Sequence, residues 1–388
     1  MPFTGKATYS AGADLPELAE DVSDIIGIVS PFETPLLDHL GDAKRPALST
    51  VHEWLEDTLL PNFDTLNQTT FTPNPTDATS LTVSNGGRFQ VGDLVRPGEA
   101  QEVMQVTAVS GNTLTVVRRY GSTPGFALAN GMRLNILGNA ALEGDEAPQA
   151  RFTARTRRAN YTQIFTATVS VSGSMQASRQ PGVADEVDYQ KTERMRELLR
   201  DLENCVINGT APASTPQGSA TVRRSMNGIT RQIATNRFVP GQGGFPAGGG
   251  SGTDLNENVL NTALRLIWEQ SQGRIDTIVV GGRQKRAINQ FVAASRRFTP
   301  DSTRLTDLVS VYESDFGVCR IVVSRWVPAD SVLLLDSSRI AVVPLAGRSF
   351  HFRPLGGRGD SFEGLVVGEY TLEFRNENAH GLIRGLTV

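Results

Sequence analysis

Lysine is nearly missing from this chain. Of 37 basic residues in 388, only Lys6, Lys44, Lys191 and Lys285 are lysines, and the rest are arginines. Arginine offers planar, multidentate contacts, although genome composition produces the same bias. Cysteine is equally scarce. Cys205 and Cys319 cannot make a disulfide framework, and they read as buried, reduced thiols. There is no excess of positive charge: 41 acidic residues outweigh the basic ones, for a net charge of -4. That excludes a chain that is a basic nucleic-acid binder throughout. No apolar run approaches the roughly 18 residues of a membrane span, so no membrane partner is expected. Residues 1–20 lack the apolar core of a secretory signal.

Catalytic signatures are also absent. The sequence has no HExxH and no CxxC, and His39, His52, His351 and His380 are scattered. A metal site or a triad would have to be gathered from distant parts. Val279-Val280-Gly281-Gly282-Arg283 lies between a strand and a helix but is neither GxGxxG nor a P-loop. It reads as a tight turn. Glu143, Asp145 and Glu146 read as a solvated acidic loop, and Arg358-Gly359-Asp360 as a turn. No enzyme activity and no cofactor are expected.

The clearest positive signal is a helix over 184–209. Val187, Met195, Leu199, Leu202 and Val206 recur at three- and four-residue steps, broadened by Leu198 and Cys205. Opposite charges three apart pair Glu193 with Arg196 and Glu197 with Arg200. Asn208-Gly209 marks its end. This helix is the spine around which the other elements fall, although the same pattern fits any long surface helix.

Before the spine, residues 1–45 form an acidic arm with sparse apolar residues, a short helix near 17–26 and another near 36–40. A strand follows within 50–60, and then a separate small β unit. Its hairpin runs through Val103, Gln105, Thr107 and Val109 to Ser110-Gly111-Asn112 and on to Leu114, Val116 and Val117. Residues 151–173 read as a long half-buried strand. Tyr161, Phe165, Ala167, Val169 and Val171 lie on one face and Thr162, Thr166, Thr168 and Ser170 on the other. From 151 to 183 there are five arginines and no acidic residue. Arg151, Arg155, Arg157 and Arg158 lack an aromatic stacking platform, which favours a protein interface over nucleic acid. Their acidic counterparts are the arm, including Asp21 and Asp24, or Glu143 and Glu146 of another subunit. With Tyr161, these residues are the candidate inter-subunit contacts.

After the spine comes a glycine-rich connector ending in GQGGFPAGGGSG. Thr253 or Asp254 is expected to cap a helix over 254–272, followed by the strand IDTIVVGG, a helix from about 283 to 294, and a run of strands to the end. Two or three packed units of an α+β protein are therefore expected.

Three phrases carry a family resemblance: SVSGSMQASRQPGVADEVDYQKTERMRELLRDLENCVINGTAP, TDLNENVLNTALRLIWEQ and GEYTLEFRNENAHGLIRGLT. Together with the order of elements, they resemble the SU10-type major capsid proteins of tailed bacteriophages, which have the HK97 fold. The resemblance implies a shell protein that forms hexamers and pentamers of itself around double-stranded DNA, contacted nonspecifically, with a separate scaffolding protein and a portal. It implies an N-arm over 1–45, an extended loop over 46–66 and 146–175, and an inserted β domain over 67–145. It also implies a peripheral domain over 176–229 and 346–388 and an axial domain over 230–345. Some members of the wider fold cross-link subunits through lysine. The extended loop here has none, so no such bond is expected. The alternatives are a nanocompartment shell of the same fold that encloses protein cargo, another virion component, and an enzyme with a β-rich accessory domain.

Overall fold

The computed structural model describes residues 33–43, 45–57, 59–98, 100–144, 151, 153, 155–177, 185–271, 273–295, 311–356 and 359–388. The helix expected near 17–26 lies outside them. The chain divides into two compact units, one of Leu55–Thr156 and one of the remainder. Strands β1 (Val51–Glu56) and β8 (Thr156–Tyr161) pair with each other where the chain passes between the units.

The smaller unit is a closed antiparallel barrel. Its strands are β2 (Phe63–Thr65), β3 (Ser80–Thr82), β4 (Asp93–Pro97), β5 (Met104–Ser110), β6 (Thr113–Val117) and β7 (Arg133–Asn139). They run in the order β2-β7-β4-β5-β6-β3. Leu66 then bridges Val83, and the Asn67 and Ser84 amides donate to the Thr82 and Thr65 carbonyls at 2.9 and 3.0 Å, returning β3 to β2. β2 precedes position 67, where the resemblance implied that the β domain begins.

The β5–β6 hairpin turns at Gly111, whose φ of +56° suits glycine. A bulge between Val106 and Ala108 shifts the parity of β5. Met104 and Val106 are buried before the bulge and Val109 packs inward after it. A plain alternation through Val103, Gln105 and Thr107 does not reveal this. Inside the barrel, Glu102 is fully buried and bidentate with Arg118, at 2.8 Å to Nε and 2.7 Å to Nη2. It also accepts the Phe126 and Arg119 amides at 2.7 and 3.2 Å.

The larger unit is built on two sheets and the spine. Helix α1 (Pro35–Leu40) opens it. Strand β9 (Gln163–Ser172) leads through α2 (Gly173–Ala177) to the spine helix α3 (Glu186–Asn208). Asp185 caps α3, its carboxylate accepting the Val187 and Asp188 amides at 2.8 and 3.3 Å. At the other end Gly209 is needed for space: a Cβ there would lie 2.4 Å from the Cys205 carbonyl oxygen and 2.7 Å from that of Met226.

The buried stripe of α3 is Val187, Leu198, Leu202, Glu203, Val206 and Ile207. It is rotated from the expected one: Met195 and Leu199 are only half-buried, and a glutamate sits inside. On the outer face Glu193 pairs with Arg196 at 2.6 Å as expected, but Glu197 pairs with Arg194 at 2.7 Å. Arg200 turns instead to Glu33 and Asp201, at 3.7 and 3.5 Å.

After α4 (Ile229–Gln232) and β10 (Arg237–Phe238) comes the α/β region. It comprises α5 (Glu257–Ser271), β11 (Thr277–Val280), α6 (Gly282–Ser295), β12 (Val311–Ser314), β13 (Gly317–Val323) and β14 (Val332–Leu335). Asn256, rather than Thr253 or Asp254, caps α5, with Oδ1 accepting the Val259 amide at 2.8 Å. The helix begins later than the sequence indicates because Asp254 is engaged through its backbone with Gly249.

The strands β15 (Ile340–Pro344), β16 (His351–Pro354), β17 (Ser361–Phe374) and β18 (Gly381–Ile383) complete the unit. A mixed sheet runs β10-β18-β14-β11-β13-β12. TIVV and VLLL are buried throughout because both faces are covered. Val279, Leu333 and Leu335 face the spine cluster, while Ile278, Val280 and Leu334 join the cluster of α5 and α6.

The second sheet centres on β17, with β15 and β16 along one edge and β9 along the other. Phe165, Val169 and Val171 of β9 pack on the spine side, as the alternation over 151–173 requires. Gly364 and Gly368 make room for rings: Cβ atoms there would lie 2.0 Å from Phe352 and 2.4 Å from Phe350.

Removing one partner of a buried ion pair strands the other charge, at about 3–5 kcal/mol. Glu102→Ala is therefore expected to destabilise the barrel by about that amount. Hydrogen exchange read over β5 and β6 should show it, with β17 unaffected.

Candidate assembly surfaces

The root of the two-stranded ribbon is a densely bonded polar region of the larger unit. Asn160 is fully buried, and its amide is saturated. Nδ2 donates to the Asn227 and Leu372 carbonyls at 2.9 and 2.8 Å, and Oδ1 accepts the Tyr161 and Asn227 amides at 2.9 Å each. Two residues on, the buried Thr162 hydroxyl donates to Glu369 at 2.6 Å. Arg224 ties both, reaching the Thr162 carbonyl through Nε and Glu369 through Nη2, each at 2.6 Å. Arg348 meets the other oxygen of Glu369 at 2.8 Å. The expected single strand over 151–173 therefore breaks at Thr162 into β8 and β9, because Asn160 and Thr162 turn inward to this network.

About four residues further along β17, Glu373 accepts from His52 at 2.8 Å and pairs with Arg375. The His52 hydrogen bond is the main cause holding the Glu373 carboxyl below its usual range; burial opposes it and Arg375 adds to it. Both legs of the ribbon are thus fastened to one strand, the incoming leg through His52 and the returning leg through Asn160 and Thr162.

A second fastening joins Glu33 and α1 to the spine and to the end of β13. Glu203, fully buried, accepts the Leu36 and Leu37 amides at 3.0 and 3.3 Å and the Ser324 hydroxyl at 2.7 Å. Burial is the main cause raising its carboxyl above the usual range. Glu33 meets Arg325 at 3.1 Å, and its carbonyl accepts the Trp326 indole N–H at 3.2 Å. No sequence signal singles out Glu203, because its donors come from positions 36, 37 and 324.

The arginines named from the sequence lie where the ribbon is exposed. Arg157 faces Glu53 at 3.6 Å and Arg155 faces Asp57 at 3.9 Å, so part of their charge is met within the chain. Exposed pairs of this kind contribute little to stability. Arg151 donates to the Arg88 carbonyl at 2.9 Å. Arg158 is exposed and lowers the Glu377 carboxyl's range behind burial, which opposes it, and the Thr235, Ala234 and Thr235-amide hydrogen bonds. Tyr161 is half-buried, and Glu143 is exposed. Asp21, Asp24 and Glu146 lie outside the described residues.

The histidines are separately engaged. His380 is buried, accepts the Asp336 amide at Nδ1 (3.1 Å) and donates from Nε2 to the Arg375 carbonyl (3.2 Å). Burial lowers its pKa to about 4, so it stays neutral at pH 7. His39 meets Thr277 at 2.7 Å, and His351 meets the Ser349 carbonyl at 2.7 Å. Among the described residues no group of His, Cys, Asp and Glu has the arrangement of a metal site.

The model of the SU10 major capsid protein family matches residues 3–387. The chain belongs to that family. It is therefore a capsid component of the virion and not an enzyme. The major capsid protein of Escherichia phage Phieco32 is 20% identical over 285 residues, covering 63% of this chain and 80% of that one. The major capsid protein of Pseudomonas phage PaMx41 is 28% identical over 142 residues, 37% of this chain and about a third (34%) of that protein's length. The structure from Microbacterium phage Oxtober96 superposes with a TM-score of 0.52 at 11% identity, covering 96% of this chain and 97% of that one. The capsid of an empty GTA particle gives 0.51 at 10% identity, covering 99% and 100%. These matches place the fold among HK97-like capsid structures, as the resemblance of the three phrases implied.

Ionised Glu373 contributes stability above the ordinary carboxylate range, near pH 4.3, and that contribution is lost as pH falls through its lowered native value. Glu373→Gln is expected to lower stability by about 1–3 kcal/mol at pH 7. The gap to the parent should close below about pH 4 in thermal unfolding measured across a pH series.

Proposed function

We propose that this capsid protein builds the icosahedral head of a tailed phage as hexamers and pentamers around double-stranded DNA, which it contacts nonspecifically. The observation that carries this is the family match across nearly the whole chain. In this reading residues 1–45 are the N-arm, 46–66 and 146–175 the extended loop, and 67–145 the insertion. Residues 176–229 and 346–388 form the peripheral domain and 230–345 the axial domain. A separate scaffolding protein directs assembly, and a portal occupies one vertex.

Arg151, Arg155, Arg157, Arg158 and Tyr161 of the loop meet acidic residues of neighbouring copies, among them Asp21, Asp24, Glu143 and Glu146. Obligate contacts of this kind exceed the roughly 1,600 Å² of a standard interface. The support is geometric: a ribbon fastened at its root by Glu369 and Glu373 presents a charged, exposed remainder. The insertion acts as a noncovalent clamp in place of a covalent link.

Electron microscopy of particles formed on expression, alone and with a scaffold, tests the reading. Icosahedral shells are expected. A uniformly monomeric protein with its scaffold present would overturn assembly, and shells filled with protein cargo would favour a nanocompartment. Fully denaturing gels of assembled particles should show one band near 41.9 kDa. A ladder would disprove the absence of cross-links.

A further inference from the structure

The barrel unit carries an open groove of about 870 Å³ lined by Asp57, Leu59, Leu60, Arg151, Thr153 and Arg155. Two adjacent leucines lie bare in it: Leu59 is 86% exposed and Leu60 is 42% exposed. Arginines stand beside them. The Arg155–Asp57 pair is long and exposed, and with two arginines against one aspartate the lining stays net positive. Such a surface fits a ligand with several apolar side chains flanked by carboxylates.

The chain itself contains that chemistry. Residues 15–29 read LPELAEDVSDIIGIV. Leu15, Leu18, Val22, Ile25 and Ile26 recur at helical spacing, with Glu17, Glu20, Asp21 and Asp24 among them. No lysine or arginine occurs between Lys6 and Lys44. The other acidic segment, 142–146, offers a single apolar residue, Leu142, and cannot cover both leucines.

We infer that residues 15–29 of a second copy seat in this groove, with Leu18, Val22 and Ile25 covering Leu59 and Leu60 and the acidic side chains meeting Arg151 and Arg155. This rests on the assembly reading above and names the partner of one of its surfaces. A segment handed from copy to copy links neighbours without a covalent bond and draws its affinity from apolar burial, while the arginines set register.

The test is a disulfide trap in the full chain. In a Cys205→Ser background, Val22→Cys and Leu60→Cys are combined, particles are assembled and oxidised, and nonreducing denaturing gels are run. Reductant-sensitive dimers and longer chains are expected from the double variant and none from Val22→Cys alone. A fast-migrating monomer would show that the segment binds its own copy, and an absence of linkage in normal particles would show that it binds elsewhere. Either overturns the inference, as does equally efficient linkage when Glu143→Cys replaces Val22→Cys. If the parent chain forms no particles, the assembly reading fails separately. The groove is then tested on the unassembled chain with a synthetic peptide of residues 12–30. Binding weakened at least tenfold by combining Arg151→Glu with Arg155→Glu is expected, and no binding to the parent overturns it.

Discussion

Ten consecutive residue pairs between β9 and β17, from Gln163 opposite Tyr370 to Ser172 opposite Ser361, hold the larger unit in register. A slip of one residue would turn Phe165, Val169 and Val171 away from the spine helix and set threonines against Leu198, Leu202 and Val206. The ladder joins strands nearly 200 positions apart in sequence. It therefore forms only after a large loop closes, and its reward arrives late in folding. Its far end is where the chain must leave the sheet. Asn160 and Thr162 secure that exit with side-chain bonds: Asn160 serves the Leu372 and Asn227 carbonyls and the Tyr161 and Asn227 amides, and Thr162 reaches Glu369 of β17.

Much of this was legible beforehand where the signal is local. The spine helix, the strand facing it, the hairpin at Gly111 and the buried TIVV and VLLL strands follow from periodicity and turn chemistry. The misses share a cause. Asn256 replaced Asp254 as a cap because Asp254 was claimed by Gly249 through the backbone. Glu203 entered an apolar stripe because donors at positions 36, 37 and 324 converge on it. The bulge in β5 moved which residues face inward. Of the candidate contacts, the arginines could be named from charge clustering. Their partners Glu53 and Asp57, about a hundred residues earlier, emerged only once β1 and β8 were paired.

Buried carboxylates pull in opposite directions in this chain. Glu102, Glu373 and Glu377 sit below the ordinary range because arginine, histidine, hydroxyl or amide donors outweigh burial, so acid weakens what they hold. Glu203 sits above it because burial outweighs its three donors, so keeping its carboxyl ionised costs stability as pH rises, even though the Leu36, Leu37 and Ser324 donors favour the charged form. His380 adds to the first group, since a neutral buried imidazole resists protonation until about pH 4. Ionising Glu203 and ionising Glu373 thus change stability with opposite sign.

The return of β3 to β2 matters beyond the barrel itself. A shell subunit lives at very high local concentration, surrounded by identical copies. An open sheet there would offer unpaired amides and carbonyls to the same sheet of every neighbour, and strand exchange would compete with ordered packing. With the last strand bonded to the first at Leu66 and Val83, the described residues of the barrel sheet offer no such open edge. The barrel can be crowded without polymerising on its own account, which leaves side chains rather than backbone to decide what it touches.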